Sequence, residues 1–401
     1  MPSIDNQQFS AVLPNGTTGK PTAGTITIDE SWSPYAQATI TVPMPATLAA
    51  FDPRLPSAPR VVVNVQQDFT DADAVSVFTA TFGGGTVAAL SAAFGSGTVA
   101  AITAAHNRPW TPGEYRRRVI RKFDLGIRRR SRGPDNTLVL TLASDEALLQ
   151  DIAPLMGGGG DEGPVGGGVL AAGSLSELVS GLLQATLGAT LAPTDVNVDL
   201  SPYREVWGPG TPGLGIEWPA GVTAWDFINE FVQLAGARLW CDENRVWHLD
   251  RAPLDFALSL TVASAVSLLD FTDEISRDAD WYDAAVVVYN WTNAAGATFY
   301  TTDYARADYL TPYTRTYVVN RDLGKRSSSF MPPTGAAAGL LAQVSVLGRL
   351  VPVAAVNDFN ATPGSALTIT LPDAAPLNGR LSSVSWGIDS RQMKLSTRNM
   401  T

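Results

Sequence analysis

Polar and apolar side chains alternate with a period of two in five runs along the first part of the chain, a rhythm that suits strands and not helices. Gly24–Glu30 (GTITIDE) puts threonines on one face and isoleucines on the other. Ala38–Val42 (ATITV) and Arg60–Val65 (RVVVNV) repeat the pattern, with Pro-rich turns between. From Val119 to Arg129 one face carries Val119, Arg121, Phe123, Leu125 and Ile127. Thr137–Leu142 (TLVLTL) then follows a Gly-Pro-Asp-Asn turn. Short strands punctuated by turn residues predict a small antiparallel barrel or sandwich over residues 1–150.

An insert at about 68–115 separates the third run from the fourth. It holds a tandem repeat, Phe82-Gly-Gly-Gly-Thr-Val-Ala-Ala-Leu-Ser-Ala and then Phe94-Gly-Ser-Gly-Thr-Val-Ala-Ala-Ile-Thr-Ala. Two copies are too few for a solenoid. The repeat reads as a pair of hairpin arms, with Phe82, Val87, Leu90, Phe94, Val99 and Ile102 as candidate contact residues.

Beyond the first module, Ser144–Leu155 is a candidate short helix capped by Ser144, and 151–173 is a Gly-rich linker. Residues 174–267 form a mixed α/β middle. Ser174–Leu187 is helical there, and Thr223–Ala235 (TAWDFINEFVQLA) is the clearest helix, capped by Thr223 with Asp226 three residues on and stopped by Gly236. Arg238–Asp250 reads as a hairpin turning at Asp242–Asn244. Strand character returns over 268–401, in Ala284–Tyr289, Ala297–Thr302, Thr314–Val319, Ala366–Leu371, Leu381–Ile388 and Gln392–Ser396, with one helix at about Thr334–Gly348. The expected class is mainly β (α+β), two β modules flanking a mixed middle.

Composition narrows the function. Of 401 residues, 45% are apolar and only 16% charged, which excludes a disordered chain and a coiled coil. A net charge of −10 argues against gripping nucleic acid with the whole surface, because that needs cations to displace phosphate counterions. One cysteine, Cys241, excludes an internal disulfide framework and a four-cysteine metal site. The opening residues, MPSIDNQQFS, lack the basic and apolar regions of a signal peptide. Thr86–Ala105 has no charge, but its Ala, Gly, Thr and Ser content is too weakly apolar for a membrane span.

No complete catalytic constellation emerges. His106 and His248 lack a Gly-x-Ser-x-Gly elbow, and His248 reads as a packed strand residue. Cys241 stands beside Asp242 and Glu243, which disfavours a thiolate. The acidic pairs Asp242-Glu243, Asp273-Glu274, and Asp278 with Asp280 read as turns and strand ends before they read as a glycosidase pair. Asp68, Asp71 and Asp73 lack the glycine and closing glutamate of a calcium loop. No catalytic, cofactor or metal residue is therefore assigned.

The charge feature with most information is basic. Arg116, Arg117, Arg118, Arg121, Lys122, Arg128, Arg129, Arg130 and Arg132 crowd into seventeen residues. With Asp124 that window carries +8, leaving −18 for the rest. Such arginines suit phosphate contact or an interface with acidic neighbours, and the acidic remainder favours the interface. Of ten tryptophans, Trp225, Trp240, Trp247 and Trp386 occupy core-like positions, whereas Trp110, Trp207 and Trp218 lie in Pro/Gly-rich loops where a neighbour could meet them.

Four places resemble the hub, or tail-associated, proteins at the tips of phage tails, called minor tail proteins in phages of actinobacteria and related to baseplate hub proteins. They are Thr25–Glu30 with Trp32-Ser-Pro and Ala36–Pro43, and Arg121-Lys-Phe-Asp-Leu-Gly-Ile-Arg-Arg-Arg leading into Leu138–Leu149. Next come Ala224-Trp-Asp-Phe-Ile-Asn-Glu-Phe-Val with Arg238–Leu249. Last are Thr362-Pro-Gly-Ser-Ala-Leu-Thr-Ile-Thr-Leu-Pro, Gly379-Arg-Leu-Ser-Ser-Val-Ser-Trp and Met393-Lys-Leu-Ser-Thr-Arg. Their order along the chain is the stronger signal, and together they cover most of it apart from the two Gly-rich stretches.

The resemblance implies two tail-tube-like β-barrels joined by smaller domains, in a homotrimer whose six barrels mimic a sixfold tail tube. It implies a non-enzymatic virion protein of the tail tip, made in the bacterial cytoplasm. Its partners would be the distal tail ring, the tape measure and peripheral tip proteins, with DNA passing through the lumen. The Gly/Ala repeat would reach a neighbour or the host envelope. Relatives that hydrolyse peptidoglycan do so through a further region, and this chain stops after its second β module. Two alternatives stay open: a hexameric distal tail adaptor or a carbohydrate-binding tip protein, and, from another class, a cell-wall hydrolase using a carboxylate pair.

Overall fold

The computed structural model describes residues 3–55, 57–70, 116–155, 169–170, 172–200, 216–264, 267–275, 281–293, 295–307, 315–325, 330–332, 334–345, 349–371, 374–398 and 400. The candidate contact residues Phe82, Val87, Leu90, Phe94, Val99 and Ile102, with His106, Trp110, Trp207, Asp71, Asp73, Asp278 and Asp280, lie outside them.

The first module is built from β1 (Ser3–Val12), β2 (Thr18–Gly19), β3 (Ala23–Asp29), β4 (Ala36–Pro43), β5 (Arg60–Thr70), β6 (Arg116–Gly133) and β7 (Thr137–Ala143). The five alternating runs are β3 to β7; β4 to β7 extend beyond their alternating cores, and β3 is shifted by one residue. Alternation fixes which side is inward: Ile26, Ile28, Ala38, Ile40, Val61, Val63, Phe123 and Leu125 are all buried. β1 carries no alternation in its first half, and it joins β5 through Phe9, Ala11 and the adjoining Leu13 on the core side. β6 is long enough to serve two partners: Arg116–Gly126 pair with β5, and Gly126–Gly133 with β7, across a register shift between Ile127 and Arg129.

The middle holds α1 (Glu146–Asp151), β8 (Val169–Leu170), α2 (Leu175–Leu187), β9 (Ile216–Glu217), α3 (Ala224–Leu234), and the hairpin β10 (Ala237–Cys241) with β11 (Trp247–Arg251). α3 begins as its sequence predicts, with the Thr223 hydroxyl accepting from the Asp226 N–H, and Gly236 ends it at φ +60°. α1 is shorter than expected and Asp145, not Ser144, occupies its cap position without a capping bond. The Ser144 hydroxyl instead accepts from the Ala36 N–H, tying the chain back to β4.

The remaining elements are β12 (Ser259–Ala263), β13 (Leu268–Phe271), β14 (Glu274–Ile275), β15 (Ala284–Thr292), β16 (Thr298–Arg306), β17 (Thr316–Lys325), α4 (Ala336–Val344), β18 (Arg349–Leu350), β19 (Val353–Val356), β20 (Ala366–Thr370), β21 (Leu377–Gly387) and β22 (Gln392–Arg398). They divide between two cores. β15, flanked by antiparallel β16 and parallel β17, turns Val287, Tyr289 and Trp291 toward α2, α3 and the hairpin, and α4 packs on this sheet. β12, β13 and β19–β22 instead share the core of the first module.

The two β modules are one wall. β21 pairs antiparallel with β3, Trp386 opposite Ile26, so a thirteen-stranded sheet runs β13-β19-β22-β21-β3-β4-β7-β6-β5-β1-β2, with β20 and β12 attached beside β21. At this seam the Thr27 hydroxyl donates to Ser385 Oγ at 2.9 Å. Fully buried Trp386 packs against Phe123 and Phe359, with ring centroids 5.9 and 5.5 Å away, and its indole N–H donates to the Asp358 carbonyl at 3.0 Å. Gln67, also fully buried, closes the same seam in both directions: its amide donates to the Asn357 carbonyl at 2.5 Å and accepts from the Phe359 N–H at 3.1 Å. Trp386→Ala should lower the unfolding free energy by about 3–5 kcal/mol, because it empties a large volume where both modules meet. Urea denaturation measures it.

Candidate assembly surface

The basic strand β6 is where the sequence concentrates candidate contacts, and its cations take three different roles. Arg121 falls on the face shared by Phe123 and Leu125, so the pleat carries its side chain inward. Its side chain is only 10% exposed. Nε donates to Glu243 Oε1 at 2.7 Å, and Nη1 reaches the Phe359 and Ala361 carbonyls at 3.1 and 2.8 Å. The guanidinium stands 5.1 Å from the Trp386 ring centroid and 5.3 Å from that of Phe123. One side chain thus joins β6, the β10–β11 hairpin and the segment before β20. Arg130 donates to the Leu48 carbonyl, and Arg128 forms a forked pair with Asp151 at the end of α1.

Lys122, Arg129 and Arg132 remain exposed: Lys122 and Arg129 on the face away from the core, and Arg132 near the end of the strand, opposite Leu138. The backbone of Arg116, Arg117 and Arg118 continues β6 opposite Thr70, Phe69 and Asp68 of β5. The nine cations therefore do not form one surface: Arg121, Arg128 and Arg130 are engaged within the chain, whereas Lys122, Arg129 and Arg132 between and beside them are exposed.

Behind β6 lies a junction the sequence does not announce. Arg60 donates to Asp124 at 2.7 Å and to Asp145 at 2.5 Å, and Arg245 of the hairpin turn donates to the other oxygen of Asp145 at 2.9 Å. Next to it Glu146 is fully buried, and one carboxylate oxygen accepts from the N–H groups of Tyr35 at 3.1 Å and Cys241 at 3.0 Å. Burial pushes the Glu146 carboxyl above its ordinary value, against the opposing pull of Ser144 and these N–H groups. Burial likewise pushes the Cys241 thiol up, with Glu146 and Asp145 adding to it, so the sulfur is held as a thiol.

Asp242 accepts from the Asn244 and Val246 N–H groups, both at 2.8 Å, as a turn residue does. His248 stacks on Trp240 with centroids 4.4 Å apart, its Nε2 3.5 Å from Asp242. Trp218, expected in a loop facing a neighbour, is instead 3% exposed. It stacks on Phe227 of α3, and its indole N–H donates to the Val222 carbonyl. A Pro/Gly-rich neighbourhood marked an irregular backbone but not an exposed side chain. Trp240, Trp247 and Trp386 are buried as expected, whereas Trp225 is half-buried at the margin of the second core.

No protein-family model and no curated protein matches the sequence. Solved structures do share the fold along nearly the whole chain. A tail protein from Neisseria meningitidis MC58 matches with a TM-score of 0.55 at 11% identity, over 98% of this chain and 97% of that one. The 43 kDa tail protein of prophage MuSo2 from Shewanella oneidensis matches with a TM-score of 0.51 at 12% identity, over 97% and 98%. At such identities the likeness is one of fold.

Arg121→Met should destabilise the chain by about 3–5 kcal/mol, because Glu243 and two carbonyls stay buried without their partner. Arg129→Met or Arg132→Met should change stability by less than about 0.5 kcal/mol. Equal effects in urea denaturation would reject the division of roles along β6. Glu146 gives the opposite sign. Its raised carboxyl favours the fold fully below the ordinary carboxylate pKa, and that contribution is lost as pH rises through the folded value. Glu146→Gln keeps an acceptor for Tyr35 and Cys241, so it should be more stable than the parent at about pH 8 and lose the advantage near about pH 4. Melting temperatures at the two pH values test this.

Proposed function

We propose that this chain is a virion structural protein, an oligomeric hub at the distal tip of a phage tail. It caps or extends the tail tube and anchors peripheral tip proteins. The observation that carries this reading is the whole-length fold likeness to two tail proteins, which leaves almost none of this chain, or of either of those, unmatched. In this reading the two tube-like units are residues 3–143 and the strands β12, β13 and β19–β22, already fused side by side through β3 and β21. Three copies then supply six units to a sixfold tube. Lys122, Arg129 and Arg132, with the backbone-placed Arg116, Arg117 and Arg118, face a neighbouring subunit. The work is geometric and not enzymatic, in keeping with a buried, protonated Cys241 and a His248 held in a ring stack.

The insert enters and leaves through residues already paired, since Thr70 stands opposite Arg116 in the β5–β6 register. Replacing residues 71–115 by a short turn should leave a folded, soluble protein with the parent's oligomeric mass, while particles carrying it lose infectivity. Native mass spectrometry and plaque counts read the two outcomes. A mass of six copies would favour a distal adaptor ring over the hub, clearing of peptidoglycan in a zymogram would argue for a hydrolase, and unchanged plaque counts would remove the contact role of Phe82–Ala104.

A further inference from the structure

A cleft of about 560 Å³ opens between the two cores, a size at which small ligands are commonly held. Two regular elements wall it. On α3, Trp225, Asn229 and Gln233 follow at four-residue spacing and so form one helical stripe. On β17, Tyr317, Val319 and Arg321 follow at two-residue spacing and so share one side of the strand. The Arg321 guanidinium donates to Gln233 Oε1 and bridges helix and strand. The loop after β3 supplies Trp32, 47% exposed, and β10 supplies Arg238.

The polar groups of this cleft are unbalanced. Among the described residues its lining carries Arg238, Arg321 and Arg398 against one carboxylate, Glu30, an excess of two positive charges in a chain whose net charge is −10. Arg398 clamps Glu30 at 2.5 Å, with both side chains under 10% exposed, and also donates to the Leu254 carbonyl. Arg238 directs Nη2 to the Trp32 carbonyl at 2.6 Å, while its Nε is buried with no partner among the described residues. The acceptors Glu30 and Gln233 Oε1 are thus engaged, while the buried Arg238 Nε donor is left to be met. Val319, Leu340, Leu254 and Pro253 give the same space aliphatic walls.

We propose that this cleft binds a carboxylate carried on an apolar body, as presented by a polypeptide segment ending in, or bearing, an acidic side chain next to an aliphatic or aromatic one. Charge-assisted bonds to the Arg321 and Arg238 guanidiniums hold the carboxylate, and the Trp225 face with the aliphatic wall covers the rest. An acidic saccharide fits less well, because its hydroxyl-covered ring would leave the aliphatic wall of Val319, Leu340, Leu254 and Pro253 unmet. The inference stands on the cleft alone and holds whether or not the tail-hub reading does.

The test uses the full chain and three probes followed by saturation-transfer NMR: N-acetyl-leucine, its neutral amide N-acetyl-leucinamide, and glucuronate. N-acetyl-leucine should bind, the amide about tenfold more weakly, and Arg321→Ala should weaken N-acetyl-leucine binding by about tenfold with little change in melting temperature. Asn229→Trp, which fills the cleft from the helix side, should abolish binding even where Arg321→Ala melts early. Equal affinity for acid and amide, or binding that survives Asn229→Trp, would overturn the site. Glucuronate binding as tightly as N-acetyl-leucine would overturn the polypeptide reading in favour of acidic sugars.

Discussion

The pairing of β3 with β21 brings together side chains 358 positions apart, Thr27 and Ser385, and the other long-range features follow from it. Once those strands share hydrogen bonds, Trp386 sits opposite Ile26 and between the rings of Phe123 and Phe359. That places an aromatic face beneath Arg121, whose reach to Glu243 then fixes where the β10–β11 hairpin lies. The hairpin in turn delivers the Cys241 N–H to Glu146 and Arg245 to Asp145. Sheet pairing, ring packing and ion pairs are here successive consequences of one register.

Among the described residues, several ion pairs are shielded inside the chain. Arg398 with Glu30, Arg121 with Glu243, and Arg60 with Asp124 and Asp145 all join segments far apart in sequence, and all are at least largely shielded from water. Such pairs add little net stability over apolar replacements, since desolvation offsets most of their attraction. Their directionality selects one relative placement of sheet, hairpin and α1. In the structural role proposed above, that selectivity matters more than the depth of the energy well.

How much could be read beforehand follows from the range of each signal. Period-two alternation is local, so β3 to β7 were legible, and the Thr223 cap with Gly236 bounded α3 to within a residue. The same rhythm put Arg121 on the face of Phe123 and Leu125; taken at its word, it assigned that arginine to the interior, against the reading of the cluster as one interface. Partner choice is not local. Nothing in SSVSW names TITI as its neighbour, and nothing in AAVVVY says that β15 joins the helical core and not the wall. β1 was missed for a related reason: SIDNQQ has no apolar rhythm, and its place is set by pairing with β5. Glu146 and the cleft arise where separate elements meet, beyond any window of sequence.

The order of strands across the wall also bears on how the chain is made. Until β21 leaves the ribosome, β3 has a bare edge whose backbone groups can recruit any extended segment nearby. A long wait between a strand and its partner slows folding and lengthens that exposure. The interval between β3 and β21 spans about 350 residues, nearly the whole of synthesis, so the edge waits longest just where the finished seam is most central.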